Sequence, residues 1–235
     1  MAEAPTPAAQ LPLGISLAPG ATFAAYFAGP NTFAVDLLRA MARGGSEAQA
    51  FLAGDPGLGK SHLLQATCRA AAEHGSRAAY LPLDGEIGAR PEALDGLEGL
   101  DLACIDAVGT VAGRPDWERA LFSLINRARG NGCRLVFAAG AVPGALGLDL
   151  PDLASRLAWG PVLRLEALSD EQKRRALTER ARTLGLDLPP TVAAYLTHHF
   201  PRDLAGQLER LGRLDRASLA AGRRLTVPFV KQVLG

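Results

Sequence analysis

Short apolar runs alternate with amphipathic segments over the first two thirds of the chain. The runs have the length and composition of buried β-strands and lie at residues 50–53, 77–83, 100–106, 134–139 and 162–165. Segments with apolar residues at helical spacing separate them, most clearly at residues 62–73 and 116–129. This alternation predicts an α/β fold, with a five-stranded parallel sheet that is covered by helices on both faces.

Other segments of this part are also interpreted as helices. A turn at Gly29 and Pro30 is followed by Asn31, which can cap the next helix. The apolar residues of that helix are expected on one face, and they are Phe33, Leu37, Leu38 and Met41. Residues 87–97 predict a short helix. The inward residues of the helix at 116–129 are predicted to be Trp117, Leu121, Leu124 and Ile125.

Strand signals stop after Ser169. Ser169, Asp170 and Glu171 have the composition of a helix start with an acidic first turn. The helical pattern then covers residues 169–184, 190–199, 202–220 and 226–234, with prolines at helix starts at positions 189, 201 and 228. The sequence therefore predicts an α/β domain at residues 21–166 and a small all-helical lid domain at residues 167–235.

The loop at residues 54–61 carries a phosphate-binding pattern. It reads G-D-P-G-L-G-K-S and fits G-x-x-x-x-G-K-[ST] at every fixed position. The glycines allow a tight turn that aims backbone N–H groups at a phosphate, while Lys60 supplies a positive charge and Ser61 a ligand for Mg²⁺. The alternative is a turn that binds nothing, because a chain with 26 glycines can produce such spacings by chance. The flanking strand and helix favour the nucleotide site.

A carboxylate ends the third predicted strand. The run at residues 100–106 reads L-D-L-A-C-I-D and ends at Asp106. In a P-loop protein, an acid at the tip of a neighbouring buried strand lies beside the phosphates and holds the Mg²⁺ shell. An aspartate at a strand end is also a common turn residue, so the assignment of Asp106 depends on the P-loop.

Composition narrows the class of protein. A chain of 235 residues with 48% apolar residues can bury the core of one domain and of a small second one. The formal net charge of +1 gives no broad positive field, so DNA is not the favoured direct partner. Cys68, Cys104 and Cys133 indicate buried thiols in a reducing compartment. With no signal peptide or long apolar span, we expect a soluble, cytoplasmic protein without a membrane partner. High alanine, arginine and glycine with scarce lysine suggests a GC-rich bacterial genome.

Residues 1–20 predict a tail that contains a docking peptide. Residues 1–9 are rich in alanine and proline, so we expect them to be disordered. A lone glutamine with spaced apolar residues follows, as in short peptides that dock on a partner, and these residues are Gln10, Leu11, Pro12 and Leu13. The alternative is a tail that packs back on the domain.

A P-loop, a strand-end acid, a Ser-Arg pair beyond the fourth strand and a helical lid together resemble an AAA+ module. Within that class the chain resembles the DnaA branch, and more narrowly the Hda family of regulatory inactivators of DnaA. The most specific stretches are L-P-D-L-A-S-R-L-A-W-G at 150–160, L-S-D-E-Q-K at 168–173 and L-D-R-A-S-L-A-A-G-R-R-L-T-V-P-F-V-K-Q-V-L at 214–234. The resemblance covers residues 10–234, and the sequence ends where DnaA continues into its DNA-binding domain, so no such domain is expected.

The resemblance implies roles for individual residues. Residues 10–13 match the family's peptide for docking on the DNA polymerase III sliding clamp, although Pro12 and Gly14 depart from its commonest form. Arg156 matches the arginine finger that reaches a neighbouring subunit's nucleotide, and Arg202 matches the sensor arginine that contacts the chain's own phosphates. Without the resemblance, both arginines would be interpreted as members of surface ion pairs.

The same resemblance implies a site for ADP or ATP with Mg²⁺. Asn31 is expected near the adenine, Arg202 near the phosphates, and Ser61 and Asp106 at the metal. The loop residues expected to bind the nucleotide are Gly54, Asp55, Pro56, Gly57, Leu58, Gly59, Lys60, Ser61 and His62.

Two departures from active AAA+ ATPases concern hydrolysis. Asp106 is followed by Ala107, where such enzymes have a second acid that positions water. Residues 138–141, beyond the fourth strand, offer no side-chain amide or hydroxyl to contact a γ-phosphate. We therefore expect a chain that binds nucleotide and hydrolyses it poorly.

The leading interpretation is a negative regulator of replication initiation. It would bind adenine nucleotide, dock on the sliding clamp, meet DNA only through the clamp, and use Arg156 to stimulate hydrolysis of ATP bound to DnaA. A self-sufficient AAA+ ATPase, such as a helicase loader, and a scaffold with a vestigial nucleotide site are the alternatives. Self-association into a homo-oligomer is also left open.

Overall fold

The computed structural model describes residues 17–18, 20–85, 90–200 and 204–235, without the side chains of residues 204 and 205. Two groups of predicted functional residues lie outside this part of the chain. They are the docking peptide, formed by Gln10, Leu11, Pro12 and Leu13, and the sensor position, Arg202. The roles assigned to them stay predictions.

Five strands form one parallel sheet, which confirms the α/β fold predicted from the alternating pattern. The strands are β1 (Gln49–Ala53), β2 (Ala78–Pro82), β3 (Leu102–Asp106), β4 (Arg134–Ala139) and β5 (Val162–Arg164). Their order is β2-β3-β4-β1-β5, so β1 lies between β4 and β5. Because all neighbouring pairs are parallel, the carboxyl ends of the strands share one edge and the amino ends share the opposite edge.

Both faces of the sheet are buried. In β1 the side chains of Phe51 and Ala53 enter one core cluster, whereas those of Ala50 and Leu52 enter the other. Helix α3 (Pro115–Asn131) and helix α4 (Pro151–Leu157) cover the first face, and helix α1 (Thr32–Ala42) and helix α2 (Lys60–Glu73) cover the second. The four residues predicted to point inward from α3 are all buried.

The expected apolar face of α1 is partly wrong. Leu38 and Met41 are buried, but the side chain of Phe33 is 70% exposed. The buried stripe instead continues through Ala34 and Val35 toward the amino end of the helix. At 100° per residue, Phe33 lies about 140° around the helix from the centre of this stripe, so its side chain points away from the core.

The short helix predicted at residues 87–97 is not an α-helix in its described part. The chain makes two separate turns of 3₁₀-helix, Pro91–Leu94 and Leu97–Gly99. Gly96 lies between them with a φ of 84°, which is a left-handed conformation that ends a helix. Leu94 and Leu97 are still buried. The apolar spacing therefore predicted correctly which residues enter the core, but it predicted the wrong secondary structure.

The second part of the chain folds as helices, as predicted. These are α5 (Asp170–Thr183), α6 (Pro190–His199), α7 (Leu204–Ala221) and α8 (Val227–Leu234). They have their own core, whose buried members are Val192, Leu196, Leu214, Leu225, Phe229 and Val230. At the start of α5, Ser169 Oγ accepts from the N–H of Gln172 at 3.2 Å, and the Ser169 N–H donates to Gln172 Oε1 at 2.8 Å. The predicted helix start is therefore a complete capping box, while the exact domain boundaries stay a prediction.

The cysteines are buried and unpaired, as the composition indicates: Cys68, Cys104 and Cys133 all lie in the core without disulfides. Within the described ranges, every helix is too short or too polar to span a bilayer.

Candidate functional site

The P-loop leaves the carboxyl end of β1 and enters α2 within a few residues. Gly57 and Gly59 have φ values of 83° and 85°, which only glycine adopts at little cost. At Gly59 a Cβ would also lie 2.7 Å from Cε2 of Tyr26. Gly59 is therefore required twice, once for the left-handed turn that starts α2 and once for the close packing of the tyrosine ring.

Lys60 holds the loop closed on itself. Its Nζ donates to the carbonyl oxygens of Gly54 at 2.6 Å and Asp55 at 2.9 Å. Burial lowers the pKa of Lys60, and the charges of Asp106 and Asp55 oppose that shift. A phosphate oxygen is a stronger acceptor than either carbonyl because it is charged. The loop therefore has the glycine turn and the cation that a nucleotide phosphate requires.

Asp106 lies at the carboxyl edge of the sheet, as predicted, and is 4% exposed. Its Oδ1 accepts from the N–H of Ala107 at 2.8 Å, and its Oδ2 accepts from the Tyr80 hydroxyl at 2.9 Å. Burial, followed by the charge of Asp106, raises the pKa of Tyr80 well above its ordinary value, while hydrogen bonds from Gln65 and Ser61 oppose the rise. Asp106, one of the two expected metal ligands, is thus held at both of its carboxylate oxygens.

The donor set around Asp106 suits a nucleotide-bound Mg²⁺. Each carboxylate oxygen keeps a second lone pair beyond its present hydrogen bond, and the Ser61 hydroxyl is a further oxygen ligand. In the described part of the chain, no three His, Cys, Asp or Glu residues are close enough to hold a metal ion by themselves. Mg²⁺ bound here would take most of its ligands from phosphate oxygens and water.

The expected second acid is replaced by a strained alanine. Ala107 has a φ of 56° and is the only non-glycine residue with a positive φ in the described ranges. This left-handed conformation costs an alanine about 1 kcal/mol. The Ala107 N–H also donates to Oδ1 of Asp106. At the end of β4, the N–H of Gly54 donates to the carbonyl of Ala139 at 3.3 Å. The strand end therefore contacts the P-loop through its backbone, without a polar side chain.

A pocket lies between the P-loop, the segment before α1 and the junction of sheet and lid. The residues that line it include Tyr26, Asn31, Pro56, Leu58, Leu168 and Lys173. The Tyr26 hydroxyl donates to the carbonyl of Leu58 at 3.1 Å, and burial raises the pKa of Tyr26 to about 12. Asn31 therefore lines the pocket together with a tyrosine that fixes the P-loop backbone.

Asn31 occupies the N-cap position of α1, but its side chain makes no capping hydrogen bond there, contrary to the sequence prediction. Its Nδ2 donates to the carbonyl of Glu166 at 3.0 Å, and its Oδ1 accepts from the Glu166 N–H at 2.8 Å. Both polar groups of the amide are thus used by one residue that follows β5. Asn31 ties the segment before α1 to the chain that leads from the sheet into the lid.

The ring of His62 faces the segment before α1. Nε2 lies 2.8 Å from the carbonyl oxygen of Thr22, and because a carbonyl only accepts, Nε2 carries a proton. Burial lowers the pKa of His62, the hydrogen bond to Thr22 opposes the shift, and the charge of Arg180 adds to it. The imidazole is therefore neutral at pH 7 and holds this segment against α2, while a role in nucleotide binding stays a prediction.

Arg156 lies at the opposite edge of the sheet from the P-loop. Gln49, the first residue of β1, donates from Nε2 to the carbonyl oxygens of Arg156 at 2.7 Å and Leu157 at 3.1 Å. The P-loop follows the last residue of β1, about 13 Å further along the strand at about 3.3 Å per residue. The guanidinium of Arg156 lies over the rings of Trp159 and Phe122, with Cζ at 3.9 and 5.1 Å from their centroids.

The chain is similar to known proteins in two ways: its C-terminal part matches a family model, and nearly its whole length shares a fold with solved structures. Residues 170–234 match the family model described as Hda, lid domain. Domain III of DnaA from Thermotoga maritima has 22% identity and a TM-score of 0.77, over 94% of this chain and 98% of that chain. The chain is thus similar to the Hda family in its lid, and over nearly its whole length it has the fold of DnaA domain III. Both the family resemblance and the fold predicted from the sequence are thereby confirmed.

Two other solved structures share the fold of this Hda-like protein. AMPPCP-bound DnaA from Aquifex aeolicus has a TM-score of 0.72 and 23% identity, over 88% of this chain and 69% of that chain. The RuvB Holliday junction branch migration motor of Thermotoga maritima has a TM-score of 0.64 and 19% identity, over 86% and 67% of the two chains. DnaA from Aquifex aeolicus, which has the same fold, thus binds the nucleotide analogue AMPPCP.

Several functional contacts of the Hda-like protein were not predicted from its sequence. Tyr26, Tyr80 and Gln49 each contact a predicted site residue or its loop from a distant part of the chain. A tyrosine within an otherwise apolar strand, as at position 80, is the one sequence signal that could have indicated such a contact.

Proposed function

We propose that this protein is a negative regulator of replication initiation that supplies Arg156 in trans to the ATP site of DnaA. The observation that supports it best is the position of Arg156. Its backbone is bonded to Gln49 at the amino edge of the sheet, whereas the P-loop of the same chain lies at the carboxyl edge. An arginine at that edge can meet a nucleotide only when another subunit presents one.

The chemistry of Arg156 suits this role. Within the described part of the chain, no carboxylate lies within 4.0 Å of its guanidinium. Its positive charge is therefore available to stabilise the negative charge on the oxygens of a transferring phosphoryl group in the transition state. In other nucleotide hydrolases an arginine finger of this kind raises the rate by about 10³ to 10⁵.

The protein's own nucleotide site supports binding more than hydrolysis. ADP or ATP would place its phosphates on the P-loop with Lys60, its base near Tyr26 and Asn31, and its Mg²⁺ near Ser61 and Asp106. The metal would neutralise phosphate charge. Ala107 provides no carboxylate to position an attacking water, and the end of β4 provides no polar side chain. This combination argues against a self-sufficient motor.

A bound nucleotide would then act as a latch between sheet and lid. The base pocket is lined from three sides, by the segment before α1, by the P-loop and by Leu168 and Lys173 at the lid junction. Asn31 already links the first of these sides to Glu166 by two hydrogen bonds. A ligand that contacts all three sides would fix the angle of the lid, and Arg202 would contribute from the lid side.

Docking on the sliding clamp would bring this regulator to DnaA. The proposed peptide, residues 10–13, precedes a short stretch that is anchored on α2. There the N–H of Ala18 donates to Gln65 Oε1 at 2.9 Å, and Arg69 donates to the carbonyl of Ala18 at 3.0 Å. The first described residues thus lie on the α2 side of the sheet, whereas Arg156 lies on α4 over the other face. Clamp and DnaA could be bound at the same time.

The test is the stimulation of ATP hydrolysis by DnaA in the presence of clamp loaded on DNA. Arg156→Ala should lower the stimulated rate by at least about 10³-fold, the lower end of the range for an arginine finger. Binding of nucleotide and of clamp should stay normal. Arg119→Ala is the matched control, because Arg119 is an exposed arginine on α3 that pairs with Asp116.

Two outcomes would contradict the proposal. Normal stimulation by Arg156→Ala would show that the finger is elsewhere or absent. Rapid phosphate release by the purified wild-type protein, without DnaA or clamp, would favour the self-sufficient ATPase instead.

A further inference from the structure

Trp159 is a large aromatic side chain on the surface, and its ring contacts two cations. The residue is 43% exposed and directly follows α4. The guanidinium Cζ of Arg156 lies 3.9 Å from the centroid of its ring, and that of Arg129, from α3, lies 4.6 Å from it. Two positive charges on one ring repel each other, so this arrangement needs a compensating attraction.

The attraction comes from the ring itself. In the described part of the chain, neither arginine has a carboxylate within 4.0 Å. Tryptophan has the strongest cation–π interaction of the aromatic side chains, and a stacked guanidinium uses its face for that contact. Its N–H donors point outward in the plane of the group and stay available for phosphate oxygens.

The backbone around Trp159 is held in place. The finger segment, residues 156–160, begins at Arg156, whose carbonyl accepts from both Gln49 Nε2 and the Trp159 N–H, the latter at 3.2 Å. At its other end, a Cβ on Gly160 would lie 1.8 Å from the carbonyl oxygen of Gln49. The segment is thus fixed against β1 at both ends, which gives the ring of Trp159 a defined position.

We propose that Trp159 is a positioning residue that holds the guanidinium of Arg156 in the conformation required for its action in trans. This inference rests on the proposed function of Arg156. A free arginine side chain samples many rotamers and loses that freedom when it binds a phosphate. Stacking on Trp159 removes much of that loss before DnaA arrives. The loss of this stacking should therefore lower the rate of ATP hydrolysis by DnaA at saturating concentrations of this protein. It should change the concentration needed for half-maximal stimulation less.

Three variants test this role in the full-length protein, with clamp and ATP-bound DnaA. Trp159→Leu removes the ring and keeps an apolar side chain, and it should lower the maximal stimulated rate about 10-fold with little change in the half-maximal concentration. Trp159→Phe keeps an aromatic face and should retain at least about a third of the wild-type rate. Arg129→Gln removes the second cation and should leave the rate within about 2-fold of wild type.

A spectroscopic measurement tests the contact without DnaA. Trp117 is 1% exposed, so acrylamide quenching of the protein's fluorescence reports mainly on Trp159. Arg156→Ala should increase the quenching of Trp159, because it uncovers the ring, while Arg119→Ala should not. Unchanged quenching in Arg156→Ala would show that the stack does not persist in solution and would overturn the inference.

The outcomes separate this inference from the proposed function. If Arg156→Ala keeps full stimulation, the proposed function fails and the positioning role fails with it. If Arg156→Ala is inactive but Trp159→Leu is fully active, only the positioning role is wrong. A higher rate in Trp159→Leu, or an equal loss in Trp159→Phe and Trp159→Leu, would also overturn it. A melting temperature close to that of wild type in each variant shows that a lower stimulated rate is not caused by unfolding.

Discussion

The contact between Gly160 and Gln49 allows the rigidity of the finger segment to be tested directly. In Gly160→Ala the new Cβ would lie 1.8 Å from the Gln49 carbonyl oxygen and 2.5 Å from its carbonyl carbon, where ordinary contacts begin at 3.4 Å. The obstructing atoms are backbone atoms of β1, a strand between two hydrogen-bonded neighbours. We therefore expect the finger segment to move away from the sheet, because β1 is held on both sides.

The size of the effect follows from two terms. Overpacking against a fixed backbone costs about 1–3 kcal/mol. Moving residues 156–157 also removes the acceptors of the Gln49 side chain, which is buried, and an unsatisfied buried amide costs about 1–3 kcal/mol. The free energy of unfolding should thus fall by about 2–6 kcal/mol, which lowers the melting temperature of a domain of this size by about 4–24 °C.

The assay is thermal and urea unfolding, followed by the fluorescence of the buried Trp117 in the α/β core. Gly130→Ala is the matched control, because Gly130 lies within α3 and a Cβ there meets nothing within 4 Å. The control should be stabilised by up to about 1 kcal/mol, since alanine has the higher helix propensity. A Gly160→Ala protein within about 0.5 kcal/mol of wild type would refute the idea of a rigid finger segment.

Three further predictions concern the nucleotide site and the tail. ADP with Mg²⁺, at 100 times its Kd, should raise the melting temperature of the wild type by about 5–10 °C, and Lys60→Ala should abolish this rise. An unchanged rise in the variant would favour a different ligand site, and no rise in the wild type would favour a vestigial site. Because burial lowers the pKa of His62 in the folded state below its usual 6.5, the unfolded chain binds the proton more tightly. Stability should therefore be complete above about pH 6.5 and decline below it, and His62→Gln, which keeps a donor for Thr22, should flatten that decline in urea titrations between pH 7.5 and 5.5. Deletion of residues 10–13 should abolish co-elution with the sliding clamp and leave the nucleotide-dependent melting shift intact; retained co-elution would assign clamp contact to another surface.

The sheet, the P-loop and the lid were predictable because each has a local signal. The strand at residues 134–139 has the same bounds in sequence and structure, since a continuous apolar run ends at Gly140. The capping box of α5 is also a local pattern, and Gln172 completes it. In the case of residues 87–97, the apolar spacing was present but Gly96 adopted a left-handed conformation, so the helix prediction failed.

The contacts that organise the candidate site were not predictable from local pattern. Asn31 binds Glu166 across 135 residues, and Gln49 binds Arg156 across 107. Tyr80 reaches Asp106 only because β2 and β3 are neighbours in the sheet, which alternation alone does not determine. A capping asparagine and an asparagine that binds a distant segment of the chain look alike in a sequence. The family resemblance selected the residues, and the structure showed which of them are held by distant partners.

The placement of P-loop and finger at opposite edges of one sheet has a consequence for assembly. A subunit that offers Arg156 from one edge and a nucleotide from the other makes head-to-tail contacts, in which the two surfaces differ. If two copies of this chain met in that way, Arg156 of one would face a P-loop that shares its sheet edge with Asp106, at the end of β3, and with Ala107, which follows it and provides no acid to position water. Its charge would then stabilise the bound nucleotide more than the transition state for hydrolysis. The same arginine would promote hydrolysis only at a site that has the missing acid. Under the proposed function, the acid that positions water in the partner's site therefore decides whether contact with Arg156 leads to turnover.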